Sequence, residues 1–232
     1  MKLSNRLLEV ANFVPKDSIV ADIGTDHGYI PVFLVENNIS NKVIATDISE
    51  KSLDKTVNYI KELNLRNNIE PRLGDGLETI KPCEVDTIIM AGMGGILIIE
   101  ILEKNKDIRD SITHFIFQPM IASNELRKYL IYNNFKIIDE GLAKEDNKFY
   151  EIIYARRGED YIEEDIYYDI SKKLIDKNHP LLKEFIEYKI NILNNILEEL
   201  KDKESKKSKD RFKEVKGLKM RYEEVLNNIE SY

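Results

Sequence analysis

Residues 18–28, Ser18-Ile-Val-Ala-Asp22-Ile-Gly24-Thr-Asp26-His27-Gly28, run from an unbroken apolar stretch into an acidic, glycine-punctuated turn. An apolar run that does not alternate reads as a strand covered on both faces. Glycine directly after it lets the backbone turn tightly and approach a ligand. The segment beyond, residues 29–37, has helical spacing, and its start offers free N–H groups. The runs VIATD, DTIIMAG and FIFQ repeat the pattern. Strands are predicted at 18–24, 42–47, 69–73, 87–91, 114–118, 135–142 and 149–156. Helices are predicted over 3–12, 29–37, 49–64, 95–104 and 123–133. Strand-helix alternation implies an α/β fold with a doubly wound, mostly parallel seven-stranded sheet. The last two strands are joined by the polar turn KEDNK, too short for a crossover helix. They are expected to form a terminal hairpin with one antiparallel strand.

The chain has 232 residues and a net charge of −7, with 42% hydrophobic and 33% charged residues. Such a composition supports a core without disulfides and does not fit a disordered chain. A single cysteine, Cys83, excludes a disulfide framework and a Cys-rich zinc site, and points to the cytoplasm. His27, His114 and His179 are too scattered to bind a metal. No signal-peptide pattern opens the chain, and no apolar run approaches the roughly 20 residues of a membrane span. The texture changes near residue 158, and residues 1–158 hold nine of the ten glycines. Residues 1–158 are expected to form a ligand-binding α/β domain and residues 159–232 a helical one.

Ligands of open α/β sheets sit above the carboxyl ends of the strands. The dinucleotide fingerprint G-x-G-x-x-G seats a pyrophosphate, but here Asp26 stands at its second glycine and would repel a diphosphate. A cationic sulfonium cofactor has the opposite need, so the turn favours S-adenosylmethionine. A tight turn in which Asp26 only caps the next helix is the alternative. Asp47 ends the second strand 23 positions after Gly24, close to the spacing of an acid that bonds ribose hydroxyls. Gly74-Asp75-Gly76 follows the third strand and either holds a carboxylate against the ligand or is a plain turn. Ala91-Gly92-Met93-Gly94-Gly95 follows the fourth strand, and three glycines in four residues suggest a substrate lying against backbone.

The tail is predicted as helices over 163–178, 180–201 and 209–231. Ile186, Ile190, Leu193, Leu197 and Leu200 step by 4, 3, 4, 3, a heptad seam. Phe212, Val215, Tyr222, Leu226 and Ile229 make a matching stripe, so the two long helices are expected to pack antiparallel and coiled-coil-like. Residues 201–221 carry ten Lys+Arg against four acids, including Lys206, Lys207, Lys209 and Arg211. The run is either a solvated face or a phosphate-contacting stripe.

In order, LSNRLLEVANFVPKDSIVADIGTDHGYIPVFL, ATDIS, GDGL, IIMAGMGG, FQP and NKFYEI resemble the bacterial tRNA (adenine-22-N1)-methyltransferase family, TrmK. The resemblance covers residues 1–158 motif by motif and the tail in kind. Gly28 and Met120 depart from the family pattern. The resemblance implies a class I, Rossmann-like methyltransferase that acts on tRNA. It implies that Gly24, Asp26, His27, Asp47, Ile48, Asp75, Gly76, Ala91 and Gly92 hold S-adenosylmethionine, and that Met93 and Gly94 border the target adenine. Asp26, expected where donor and acceptor meet, is the candidate catalytic carboxylate. A small-molecule methyltransferase would share every donor motif without needing the basic tail. A nucleic-acid-binding module with a vestigial donor pocket is the non-catalytic alternative. A monomer is expected, with a dimer through the seam as the other option.

Overall fold

β1 (Ile19–Ile23) buries its last four residues, and β2 (Lys42–Asp47) likewise buries Val43 through Thr46. The computed structural model describes residues 2–230. Around these strands lie β3 (Ile69–Leu73), β4 (Thr87–Gly94), β5 (His114–Ile121), β6 (Phe135–Glu145) and β7 (Lys148–Arg157). The sheet order is β3-β2-β1-β4-β5-β7-β6, parallel except for β7, which runs antiparallel to both neighbours. The expected hairpin and its one reversed strand are therefore present. Chain direction across the sheet reverses between β1 and β4, the switch point where ligands of such sheets bind.

Helices cover both faces. α1 (Asn5–Asn12), α2 (Tyr29–Glu36) and α3 (Glu50–Glu62) enclose one core with Val20, Val43, Ala45, Ile89 and Ile116. α4 (Gly95–Lys104), α5 (Lys106–Ser111) and α6 (Ser123–Tyr132) enclose the other with Ala21, Ile23, Met90, Phe115 and Phe117. Alternate residues of one strand enter opposite cores, which is why the runs read as continuously apolar. Ser4 caps α1 and Ser49 caps α3 through their hydroxyls. The short α5 and the 3-10 turn at Gly76–Thr79 were not expected.

Three strands outrun their predicted ends by three residues each: β4 continues to Gly94, β5 to Ile121 and β6 to Glu145. The register of β4 on β5 slips around Gly92, so the glycine-rich stretch is a bulged strand rather than a free loop.

Under β6 and β7 lies an ion cluster with no local sequence signal. Arg127 is fully buried and donates to Glu140 at 2.5 Å and to Glu151 at 2.6 Å. Ser123 Oγ donates to the other oxygen of Glu151 at 2.6 Å.

The chain divides into two compact units, Met1–Tyr161 and Ile162–Tyr232. Asp160 stays with the first, where its carboxylate accepts the Ile137 N–H at 3.0 Å. In the second unit the predicted 163–178 helix is two short ones, α7 (Ile166–Asp169) and α8 (Lys172–Asp176). Ser171 breaks it by capping α8 through Leu174 N–H, with Ile170 extended before it. α9 (Leu182–Leu200) begins two residues later than predicted, after His179 Nδ1 accepts the Leu181 N–H. α10 (Lys206–Glu230) begins three residues earlier, because Ser205 accepts from Ser208 N–H. Its predicted end, Ser231, lies outside the described residues. α9 and α10 are antiparallel: the Lys189 ammonium lies 5.9 Å from the Tyr222 ring, and Leu197 shares a cleft with Phe212. Ile186 and Leu193 of the seam and Val215 and Tyr222 of the stripe are buried.

Arg127→Leu strands two buried carboxylates and should lower unfolding stability by about 3–5 kcal/mol, read by urea denaturation. A loss under about 1 kcal/mol would mean that the cluster is already solvated in the native protein.

Candidate active site

The carboxyl ends of β1, β2, β3 and β4 bring the predicted donor residues together. Gly24 adopts φ +75°, and its N–H and that of Thr25 both bond the Thr46 carbonyl at 2.8 Å. That ties the acidic turn to the end of β2. Gly74 N–H bonds the Asp47 carbonyl at 3.0 Å and joins the third turn to the second.

Asp26 is solvent-facing, with 74% of its side chain exposed. It caps nothing; its partner is the His27 ring, Nε2 lying 3.4 Å from Oδ1. His27, at φ +62°, stacks on Tyr29 at 5.2 Å, and Lys55 Nζ lies 3.2 Å from the same Nε2. Asp47 Oδ1 accepts the Ser49 N–H at 2.7 Å, and Oδ2 is unclaimed among the described residues. Ile48 beside it is 71% exposed, and Leu73 at the end of β3 is 53% exposed. Asp75 is exposed and bonds Lys104 Nζ at 3.0 Å, a partner that local sequence does not signal. Gly76 adopts φ +54° and packs on Ile101.

Asp22 lies beneath this edge, and its carboxyl is buried. Burial pushes its pKa up to about 6; the Thr25 hydroxyl opposes the shift and the Asp47 charge adds to it.

The glycines of the fourth stretch do different things. Gly92 forms the bulge at φ +80°. A Cβ on Gly95 would sit 2.2 Å from the Ala122 carbonyl oxygen, so this glycine serves packing of α4 rather than substrate access. Gly94 faces only the Ile121 side chain, 3.6 Å from an ideal Cβ, and Gly92 is solvent-exposed, so these two glycines leave open surface. The terminal methyl of Met93 lies 2.4 Å from an ideal Cβ on Gly24, so Met93 joins the donor turn to the bulge. Met120 and Ile121 at the end of β5 and Ile96 and Leu97 on α4 add exposed apolar surface.

Gln118, read only within a resemblance motif, proves central. Its fully buried side chain accepts the Gly92 N–H at 3.1 Å, a donor that the bulge removes from the ladder. The same oxygen accepts Arg6 Nη1 at 2.7 Å. His114 bonds the Tyr154 hydroxyl at 2.7 Å and His179 serves the start of α9, so both are structural. Among the described residues no three His, Cys, Asp or Glu side chains converge as a metal site, and no helix is long and apolar enough to cross a membrane. Lys206, Lys207, Lys209 and Arg211 lie in the other unit, exposed along the first turns of α10.

Residues 3–153 match the family described as a methyltransferase domain. The tRNA (adenine(22)-N(1))-methyltransferase of Bacillus subtilis is 39% identical over 159 residues, 68% of this chain and 67% of that protein. This chain belongs to the tRNA (adenine-22-N1)-methyltransferase family. The B. subtilis m1A22 tRNA methyltransferase TrmK superposes with a TM-score of 0.86 at 31% identity, over 97% of this chain and 99% of that one. Streptococcus pneumoniae Sp1610, solved in complex with S-adenosyl-L-methionine, superposes at 0.87 with 28% identity, over 97% and 100%. The residues here suit that cofactor. The glycine turn is followed by Asp26 rather than a phosphate-accepting glycine, Asp47 keeps one oxygen free, and no lysine or arginine stands in the Gly24–Gly28 turn.

Between about pH 4 and 6 the folded protein holds an Asp22 proton that the unfolded chain has released, so this group's contribution to stability falls as pH rises. Asp22→Asn removes the effect. At pH 7 the variant should be more stable than wild type by up to about 3 kcal/mol, converging near pH 4. Denaturant titrations at the two pH values measure it; a wild-type advantage that grows with pH would contradict the assignment.

Proposed function

We propose that the protein transfers a methyl group from S-adenosylmethionine to N1 of adenine 22 in tRNA. The observation that carries the reading is the meeting of the acidic Asp26-His27 turn with the bulged Gly92-Met93-Gly94 strand at the sheet's switch point, in a member of this family.

S-adenosylmethionine, when bound, supplies an electrophilic methyl group on a cationic sulfur. Gly24, Asp26, His27, Asp47, Ile48, Asp75, Gly76, Ala91 and Gly92 are the residues proposed to hold it. The unclaimed Asp47 oxygen suits a ribose hydroxyl. Exposed Ile48 and Leu73 suit the flat faces of an adenine. Asp26 and Asp47 set a negative field that favours a cation and disfavours a diphosphate, while Asp75 is balanced by Lys104.

Adenine N1 carries a lone pair and needs no prior deprotonation to attack. The protein's task is to align N1 and exclude water. Met93 and the open surface at Gly94 are proposed to border the base. N1 is occupied in a Watson–Crick pair, so the base must be unpaired or turned out of its stack. Methylation leaves a cationic ring that loses a proton from its exocyclic nitrogen. Asp26, exposed and bonded to no backbone donor, is proposed to accept that hydrogen bond and take the proton.

Residues 1–158 are proposed as the donor-binding domain and 159–232 as a tRNA-contacting one. Lys206, Lys207 and Lys209 crowd the N-terminal turn of α10, where the helix dipole disfavours cations. A sequence tuned only for helix stability would place acids there, so the cluster favours a polyanionic partner. A cytoplasmic, metal-independent monomer completes the proposal.

Incubating the protein with unmodified tRNA and methyl-labelled donor, followed by nucleoside analysis, should give 1-methyladenosine at position 22. Label in another base, or none, would refute the reading. Asp26→Ala should lower turnover roughly 10²–10⁴-fold with unchanged thermal melting. Near-normal turnover would remove Asp26 from the chemistry.

A further inference from the structure

Arg6 stands on the first turn of α1, half-buried, beside the Gly92 bulge. One of its five guanidinium N–H donors, on Nη1, is spent on Gln118 Oε1 at 2.7 Å. An ideal Cβ on Gly92 would lie 3.6 Å from the same nitrogen. The guanidinium carbon sits over the Tyr150 ring, 5.4 Å from its centroid and within cation–π range. The backbone is pinned as well: Arg6 N–H donates to Glu145 Oε1 at 2.7 Å, and Asn5 Nδ2 donates to the Lys144 carbonyl at 3.2 Å. Glu145 thus serves the backbone and not the guanidinium. Among the described residues no carboxylate lies within salt-bridge distance of the Arg6 side chain.

This is an unusual state for a half-buried arginine. Arg72, Arg109 and Arg127 of the same unit each engage carboxylates. Arg6 is fixed by a neutral amide and an aromatic face, so its positive charge stays uncompensated. Gln118 is held as firmly, since its Nε2 donates to the Pro119 carbonyl at 3.0 Å and its oxygen accepts from both Gly92 and Arg6. A rigid, unpaired guanidinium fork at the substrate-facing end of β4 and β5 matches a phosphate, which can take two parallel N–H bonds.

We propose that Arg6 binds a backbone phosphate next to the target nucleotide, with Gln118 as its positioning residue. The proposal rests on the reaction inferred above. Phosphate contacts fix an RNA strand without reading its sequence. One contact beside the bulge would anchor the strand while the base turns toward Gly94.

The test measures binding and methylation of an unmodified tRNA transcript by the full-length chain, from about 50 to 200 mM salt. Wild type, Arg6→Gln and Arg6→Lys are compared, together with calorimetric donor affinity and thermal melting. Arg6→Gln should weaken tRNA binding and raise KM for tRNA about tenfold, with donor affinity and melting retained. The slope of log affinity against log salt should fall by about 0.7–0.9. Arg6→Lys should keep the slope and regain part of the affinity. In wild type, methylphosphonate at the linkages flanking the target adenosine should weaken binding by the same factor, and Arg6→Gln should be insensitive to it. The wild-type half of that comparison decides even if a variant fails to fold. Unchanged KM and slope in Arg6→Gln, or wild-type indifference to the methylphosphonate, would overturn the proposal. Equal losses in both variants with lowered melting and donor affinity would also overturn it, as the mark of a structural pin. Arg6-dependent binding of tRNA that is never methylated would refute the reaction and leave the phosphate contact standing.

Discussion

The Gln118 side-chain oxygen is the point on which the acceptor side of this edge depends. A bulge at Gly92 takes one N–H out of the β4–β5 ladder and leaves it in need of another acceptor. Gln118 satisfies it at 3.1 Å and in the same stroke fixes Arg6 of α1. Three segments far apart in the chain therefore share one acceptor. The bulge in turn sets where Met93 lies against Gly24 and where Gly94 leaves open surface.

Around that point the carboxyl edge of the sheet divides by charge. Asp22, Asp26, Asp47 and Asp75 gather on the β1–β3 side. On the β4–β5 side are exposed Met120 and Ile121 and the unpaired Arg6. The first half suits a cationic donor and the second a flat base on an anionic strand. The net charge of −7 conceals this division. It equally conceals the basic first turns of α10, which local helix energetics do not explain.

What the sequence made legible follows from the range of the interactions. Continuous apolar runs report two covered faces, so the strands were readable, whereas their order across the sheet came only with the structure. The KEDNK segment reported its hairpin because so short a link leaves no room for a crossover helix; only Asp146 and Asn147 lie outside the two strands. The end of the second strand at Asp47 and the start of the helix just after Ser49 were readable from the same change of pattern. The Arg127–Glu140–Glu151 cluster was not readable, since its members touch only after β6 and β7 pair. Arg6 and Gln118 are 112 positions apart and carry no pattern that joins them. The Gly92 bulge was hidden because glycines in a strand extension look like glycines in a loop. The break at Ser171 was hidden because the apolar spacing continues across it, while the hydroxyl caps the next helix.

An acidic edge of this kind favours a sulfonium donor over a dinucleotide. Calorimetric titration of the wild-type protein with S-adenosylmethionine and, separately, with NAD compares the two. Saturable binding of S-adenosylmethionine and no measurable heat with NAD are expected. Comparable binding of NAD would contradict that preference.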